Sequence, residues 1–395
     1  MTERPQSVST WLNTRLPILS AFRREYVEFA MPRNLNYLWN FGAFAVVSLT
    51  LLILSGIFLA LNYTPTLADA FSSVETIDRQ VASGWLIRSI HMGGVSMLFA
   101  ALYVHIARSL YYGSYKAPRE LVWLTGLGLL LLVMITAFAG YVLPWGQMSY
   151  WGATVVVNAV NTVPLVGKPL ASWLLGGEGL GNVALHRLFV LHFVTAFSII
   201  GVIVLHVATL HVTGSNNPTG KDLTEPDQTV PFHPYYTTKD GLGLCLFLLV
   251  YATLIFFAPD FLTLSDNYVQ ANPLITPSDI TPEWYFAPFY AILRAVPSKL
   301  GGLILATGSI VILFALPWLD SSTIRSARFR PWLRVALPLL FLAFLALGLA
   351  GMSPPSSFWL WISRAAVAYW YFYFLGLLPM IARREQATRR KEHFQ

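Results

Sequence analysis

Long uncharged apolar stretches alternate along this chain with short polar, basic or proline-containing segments, and eight of the stretches can cross a hydrocarbon core about 30 Å thick. They cover residues 41–61, 89–107, 121–143, 188–212, 241–259, 300–319, 335–351 and 365–382. Over such lengths in lipid, an α-helix satisfies its own backbone, so the expected fold is an all-α integral membrane protein with eight transmembrane helices. Pro338 and Pro379 fall inside two stretches and predict kinks. Residues 11–30 mix apolar and basic positions as a surface-lying helix does. Residues 144–187 fit no full span; Trp145, Trp151 and Trp173, with turns at Pro164 and at Gly176 and Gly177, predict short helices on the membrane surface.

Composition agrees with the pattern. Hydrophobic residues make up 55% and charged residues 11%, the mean hydropathy is +0.57, and a chain this apolar is not solvated as an ordinary globular domain. The net charge of +7 does not indicate nucleic acid, because no basic, aromatic-interleaved soluble domain is present to read it. It indicates orientation instead. The segments on one side of the eight spans hold 19 of the 26 Lys and Arg residues, so both termini are expected on the cytoplasmic or matrix side. The first 35 residues lack the apolar core and cleavage site of a signal peptide and are expected to stay on the mature protein.

Two histidine pairs carry the candidate chemistry: His91 with His105, and His192 with His206, each spaced by 14 residues within an apolar stretch. Fourteen residues advance a helix about 21 Å and return it to within about 40° of the same face. Each pair therefore faces one way at two depths. Imidazoles at membrane depth are costly and usually functional, and haem iron commonly takes histidine. The two spans run in the same direction, so His91 shares the outer level with His192, and His105 shares the inner level with His206. Two haems are expected, one per level. Gly42 and Gly56, and Gly126 and Gly140, repeat the 14-residue spacing on the neighbouring spans and offer room for haem contact. Arg88 and Arg108 each lie three residues from a ligand and are candidate partners for haem propionates. The lone Cys245 excludes a covalent c-type attachment and an iron–sulfur cluster, which leaves non-covalent haem b.

Beyond the histidines, GYVLPWGQMSYWG at 140–152, PEWY at 282–285, GSNNPTG from Gly214 and FHPYY from Phe232 resemble cytochrome b of the ubiquinol:cytochrome c oxidoreductases. The resemblance runs from about Trp39 to the end of the eighth span. One chain and two 14-residue spacings fit the bc type rather than the plastoquinol enzymes. The resemblance implies quinol oxidation at an outer site, where Glu283 accepts a proton and Tyr141, Tyr285 and Tyr290 line the pocket beside Pro144 and Trp145. Thr281 and Pro282 are good N-cap and first-turn residues, so Glu283 is expected in the first turn of a short helix. The resemblance also implies electron transfer through the two b haems to ubiquinone at an inner site. His211 lies about 140° from the ligand face, and with Asp240 it is the candidate for quinone reduction. Ser215, Asn216 and Lys239 are further candidates.

The implied partners are a Rieske iron–sulfur protein received on the outer surface helices, a membrane cytochrome c subunit, quinone, the lipid bilayer and a second copy of the complex. The implied location is a bacterial cytoplasmic or mitochondrial inner membrane. Val212 stands where several members of the resembled family carry a polar or acidic residue, Ala287 and Pro288 break the more regular run after PEWY of its mitochondrial members, and His186 and His233 have no assigned role. The expected organisation is an inner-surface segment over 1–35, a four-helix di-haem bundle with surface helices over 36–215, and four further spans with the PEWY loop over 216–395. A di-haem membrane anchor of a dehydrogenase is the alternative; PEWY and the long outer loops argue against it. An ion-coupled transporter would place its polar groups at midplane on broken helices, a pattern this sequence lacks.

Overall fold

A computed structural model describes residues 7–393 apart from Glu178, Thr224 and Leu262. Every expected span folds as a helix long and apolar enough to cross a membrane: Tyr37–Ala60, Gly84–Tyr112, Glu120–Val142, Asn182–Thr213, Phe232–Phe257, Lys299–Leu319, Pro331–Met352 and Ser357–Thr388. The second and fourth run to 29 and 32 residues. At 1.5 Å per residue they exceed the hydrocarbon thickness, which carries their polar ends beyond it.

The described helices in chain order are α1 Val8–Arg15, α2 Ile18–Phe22, α3 Phe41–Ala60, α4 Ala70–Gln80, α5 Gly84–Tyr112, α6 Glu120–Val142, α7 Gln147–Val160, α8 Gly167–Leu175, α9 Asn182–Thr213, α10 Thr237–Phe257, α11 Ala287–Arg294, α12 Lys299–Leu319, α13 Pro331–Met352, α14 Ser357–Phe372 and α15 Leu378–His393. With eight spans among the described residues, the segment before the first span and the segment after the eighth lie at one end of the molecule, called here the termini end.

Helices α3 and α5 pack as one antiparallel pair, and α6 and α9 as another. Phe44, Leu49, Leu52, Phe99, Val133 and Ile199 fill the space between the pairs, and Tyr285 from a distant loop joins them. A second core, with Leu127, Leu316, Leu333, Leu337 and Phe374, fastens α6 to α12, α13 and the last span. The eighth span contains Pro379, whose ring cannot fit against the preceding turn of a regular α-helix. A π turn at Tyr373–Leu377 precedes it and makes the accommodation.

Short helices occupy the surface. Helices α7 and α8 form the expected pair within 144–187, and α4 covers the same end beside α5. At the termini end, α1 and α2 are separated at Pro17, with a π turn Arg23–Val27 continuing α2. Val8, Trp11, Leu12, Leu16, Ile18, Leu19 and Phe22 are exposed there. A two-stranded ribbon, β1 Ala30–Pro32 against β2 Thr229–Pro231, then ties this segment antiparallel to the chain leading into α10.

Candidate functional site

Helices α5 and α9 carry the four histidines, His91 and His105 on the first and His192 and His206 on the second. Imidazole rings of His91 and His192 face one another with centroids 6.1 Å apart and planes at 72°. A metal–imidazole bond is about 2 Å, so one ion held between two Nε2 atoms sets the ring centroids about 6 Å apart. The pair therefore fits an iron between the rings.

The neighbouring helices fix which nitrogen faces inward. His91 Nδ1 donates to the Leu52 carbonyl at 3.0 Å, with the Ser55 hydroxyl also 3.0 Å away. His192 Nδ1 donates to the Thr136 carbonyl at 2.7 Å. His206 bonds the Val122 carbonyl and has Thr125 Oγ1 3.0 Å from its Nδ1. A neutral imidazole that donates from Nδ1 keeps its Nε2 lone pair for a metal.

These carbonyls stand four residues before Gly56, Gly140 and Gly126. In a helix each Cβ leans over the preceding turn, so the missing Cβ uncovers the carbonyl for the ring. A Cβ built at Gly56, Gly140, Gly126 or Gly42 would lie 2.9, 2.5, 3.2 or 3.1 Å from Cε1 of His91, His192, His206 or His105 respectively. The glycines expected to make room for a porphyrin edge thus lie against the imidazoles themselves. His105 is the exception in bonding, since Arg108 Nη2 lies 3.5 Å from its Nδ1. The Arg108 guanidinium covers Trp39 at 4.8 Å and its Nε is buried with no hydrogen-bond partner. A buried cation with no ion-pair partner among the described residues fits an anionic group such as a haem carboxylate. Arg88, the matching candidate at the other end, is ion-paired with Asp78 on α4.

Beside His91 and His192 a cavity of about 210 Å³ opens toward the end opposite the termini, lined by Arg88, Tyr141, Pro144, Asn267, Tyr268, Glu283 and Tyr285. Burial pushes the Glu283 carboxyl up to about 7. Its place differs from the expectation. The short helix begins at Ala287, so neither Thr281 nor Pro282 caps it, and Glu283 lies in the preceding turn. Pro288 explains the shift: it has no N–H for the Trp284 carbonyl, so the entry is a tight turn in which Phe286 and Ala287 N–H groups return to the Glu283 carbonyl.

The rest of PEWY is anchored on α5. Trp284 Nε1 donates to Ser96 Oγ at 3.0 Å, the Tyr285 ring stacks on Phe99 at 4.2 Å, and Tyr103 OH donates to the Tyr285 carbonyl. Tyr290 lies outside the cavity lining, under the Arg294 guanidinium. Sequence reasoning missed Asn267, which donates to Tyr141 OH at 2.9 Å and accepts from the Ser149 N–H at 2.8 Å. Trp145 turns the chain with φ of +56°, a strained region for a residue with a Cβ.

At the termini end, His211 does not bond to Asp240. Its Nδ1 lies 2.8 Å from Glu25 Oε2 and its ring stacks on Phe29 at 4.3 Å. Lys239 Nζ donates to the Leu35 carbonyl at 2.5 Å, and Ser215 Oγ to the Asn216 carbonyl. Asp240 sits in the first turn of α10. The sequence signalled Glu25 only as part of a charged surface segment.

Eight spans, a pair of facing imidazoles whose Nδ1 atoms are held by carbonyls, and an acidic, aromatic pocket beside that pair define a membrane electron-transfer protein. The family models "Cytochrome b/b6/petB" and "Cytochrome b(C-terminal)/b6/petD" match residues 26–214 and 270–372. A cytochrome b of Rickettsia prowazekii (strain Madrid E) is 51% identical over 97% of this chain and 96% of its own length. A Bradyrhizobium diazoefficiens protein named cytochrome b/c1 is 48% identical over 95% of this chain and 55% of its own. A solved structure titled "Hyperthermophilic respiratory Complex III" superposes with a TM-score of 0.88 at 33% identity, covering 95% of this chain and 98% of its own.

The chain belongs to the cytochrome b family. It is an integral membrane subunit of a quinol:cytochrome c oxidoreductase, where it takes part in quinol oxidation and electron transfer. The family implies b-type haem and interaction with quinone. A dehydrogenase anchor is not favoured.

Proposed function

We propose that this chain binds two b haems, His91 with His192 and His105 with His206, oxidises ubiquinol beside Glu283 and reduces ubiquinone near His211. The observation that carries the reading is Glu283, a carboxylate tuned to about 7 in the cavity that also reaches the His91 and His192 rings. A base that takes a quinol proton works best with a pKa near the working pH. Once bound, the haems supply one-electron redox chemistry at two membrane depths. The chain's own residues do the rest: Glu283 takes the proton, Tyr141 and Tyr285 wall the cavity, and Gly42, Gly56, Gly126 and Gly140 admit the rings. Arg108 is an anchor for a haem carboxylate, and Arg88 serves as one only by sharing its guanidinium with Asp78.

The inner quinone residues are His211, Asp240, Lys239 and Ser215. Protons are taken up on the termini side, which the excess of Lys and Arg makes the cytoplasmic or matrix side. Helices α7 and α8 receive a Rieske protein, a cytochrome c subunit accepts the electron, and the complex is a homodimer in a bacterial cytoplasmic or mitochondrial inner membrane. Residues 1–35, 36–215 and 216–395 act as surface segment, di-haem unit and quinol-pocket unit. The test is Glu283→Gln in the assembled complex, measuring cytochrome c reduction by ubiquinol. A drop of about a hundredfold with an unchanged haem spectrum is expected; a wild-type rate would sink the outer-site assignment.

A further inference from the structure

The N-terminal segment reaches the inner quinone residues by a route that sequence spacing does not reveal. The β1–β2 ribbon pins residues 30–32 to the strand before α10, and Lys239 holds the Leu35 carbonyl. The preceding turn, Arg23–Val27, is thereby laid against the end of α9. His211 is enclosed by it: Glu25 Oε2 is 2.8 Å from Nδ1, Phe29 stacks on the ring at 4.3 Å and 15°, and Tyr26 flanks it at 5.7 Å. The other oxygen of Glu25 accepts from Arg24 Nε at 2.6 Å.

We infer that Glu25 is a positioning residue of the inner quinone site, the carboxylate that holds His211 with Nδ1 turned to the N-terminal segment and Nε2 left to face the quinone. The inference rests on the reading of His211 as an inner-site residue. A carboxylate is acceptor-only, so the proton of the shared bond belongs to Nδ1, and the tautomer is set. The hydrogen bond from His211, followed by that from Arg24, holds the Glu25 carboxyl below its usual range, so the acceptor stays ionised through the neutral range.

The charged and titratable groups on the adjoining elements do not displace it. Arg23 is paired with Glu28, and His233 Nδ1 lies 3.0 Å from Thr237 Oγ1. Lys239 is on the Leu35 carbonyl; Asp240 is left on α10 to meet the second quinone oxygen. In the overall step, quinone gains two electrons from the chain's established electron transfer and two protons, one on each carbonyl oxygen, to give quinol. Nε2 of His211 is the proton-passing atom at one oxygen, and Glu25 keeps the ring aimed there.

The test uses the whole complex in membranes. Haem b is reduced with quinol and its reoxidation by decylubiquinone is followed at several quinone concentrations, in wild type and in Glu25→Leu, Glu25→Asp, Glu28→Leu and His211→Ala. Glu25→Leu is expected to lower the maximal rate about tenfold while the half-saturating quinone concentration changes less than about threefold. Glu25→Asp is expected to recover most of the rate, and Glu28→Leu, which disturbs the same segment without touching His211, to behave as wild type. A wild-type rate in Glu25→Leu alongside a slow His211→Ala overturns the role of Glu25 and leaves the inner site standing. Equal loss in Glu28→Leu and Glu25→Leu also overturns it, as a general effect of the segment. A wild-type rate in His211→Ala removes the inner-site reading itself.

Discussion

Glu283 titrates against burial rather than against a partner, and this fixes the sign of its pH dependence. Only the ionised carboxylate accepts a proton, so the limiting rate of quinol oxidation is expected to rise with pH through about 7 and then level off. A pH–rate profile of cytochrome c reduction checks this; a flat profile between pH 5.5 and 8.5 would remove Glu283 as the base. At the same scale Gly140 makes a sharper claim. A Cβ there would stand 2.5 Å from the His192 ring, on backbone that the α6–α9 packing prevents from retreating. Gly140→Ala is expected to cost the protein the haem proposed at the His91/His192 level, so haem b per chain falls to about half. Haem content by pyridine haemochrome decides, and full occupancy would contradict the role given to the glycine.

Among the elements, α7 lacks a side-chain cap of its own, because its N-cap is Gly146. Asn267 from a loop over a hundred residues away supplies the missing acceptor to the Ser149 N–H and also holds Tyr141. Asn267→Leu removes both bonds. It is expected to raise the half-saturating quinol concentration at the Glu283 pocket several-fold and to destabilise the loop by about 1 kcal/mol, with haem content unchanged. Steady-state titration with ubiquinol reads the first effect; an unchanged value would mean the loop does not shape the pocket. The start of α11 teaches the same lesson about elements. Good capping residues at Thr281 and Pro282 suggested an earlier start, but the missing N–H of Pro288 delays the helix to Ala287. A local propensity lost to a local steric fact four residues downstream of Trp284.

Across the whole molecule, the loops at the termini end are joined by a buried ionic cluster. Arg330 donates to both oxygens of Asp320 at 2.6 and 2.8 Å and to Glu385 on α15 at 2.9 Å. Lys116 lies 2.8 Å from Asp320 and Tyr115 donates to it at 2.5 Å. Asp320 and Arg330 have fully buried side chains. Burial alone would raise the Asp320 carboxyl, yet Arg330 and Lys116 together hold it below its ordinary value. Its stabilisation is therefore complete at neutral pH and lost only as acid carries the solution down through that lowered value. Asp320→Ala would leave two buried cations short of their counter-charge, at a cost of about 3–5 kcal/mol. Thermal denaturation of the detergent-solubilised complex should show a markedly lower midpoint, whereas an unchanged midpoint would show that the cluster is not a clamp.

The eight spans and the two histidine levels on which the proposed pairing rests were legible in the sequence because each rests on a period that geometry alone converts into position. Hydrophobic length sets the spans, and a 14-residue repeat sets both depth and face. The glycine spacing was legible too, but not what the glycines do, since the carbonyls they uncover matter only once a particular histidine helix packs there. Asn267 on Tyr141, Asp78 on Arg88, Glu25 on His211 and the Asp320 cluster each join residues that no local pattern relates. Those contacts depend on which helices become neighbours and how loops cross their ends. The chain's own arithmetic determined a membrane bundle with histidines at two depths; the tertiary structure decided which polar groups meet at its two surfaces, because only packing brings distant carboxylates, amides and rings within hydrogen-bond reach.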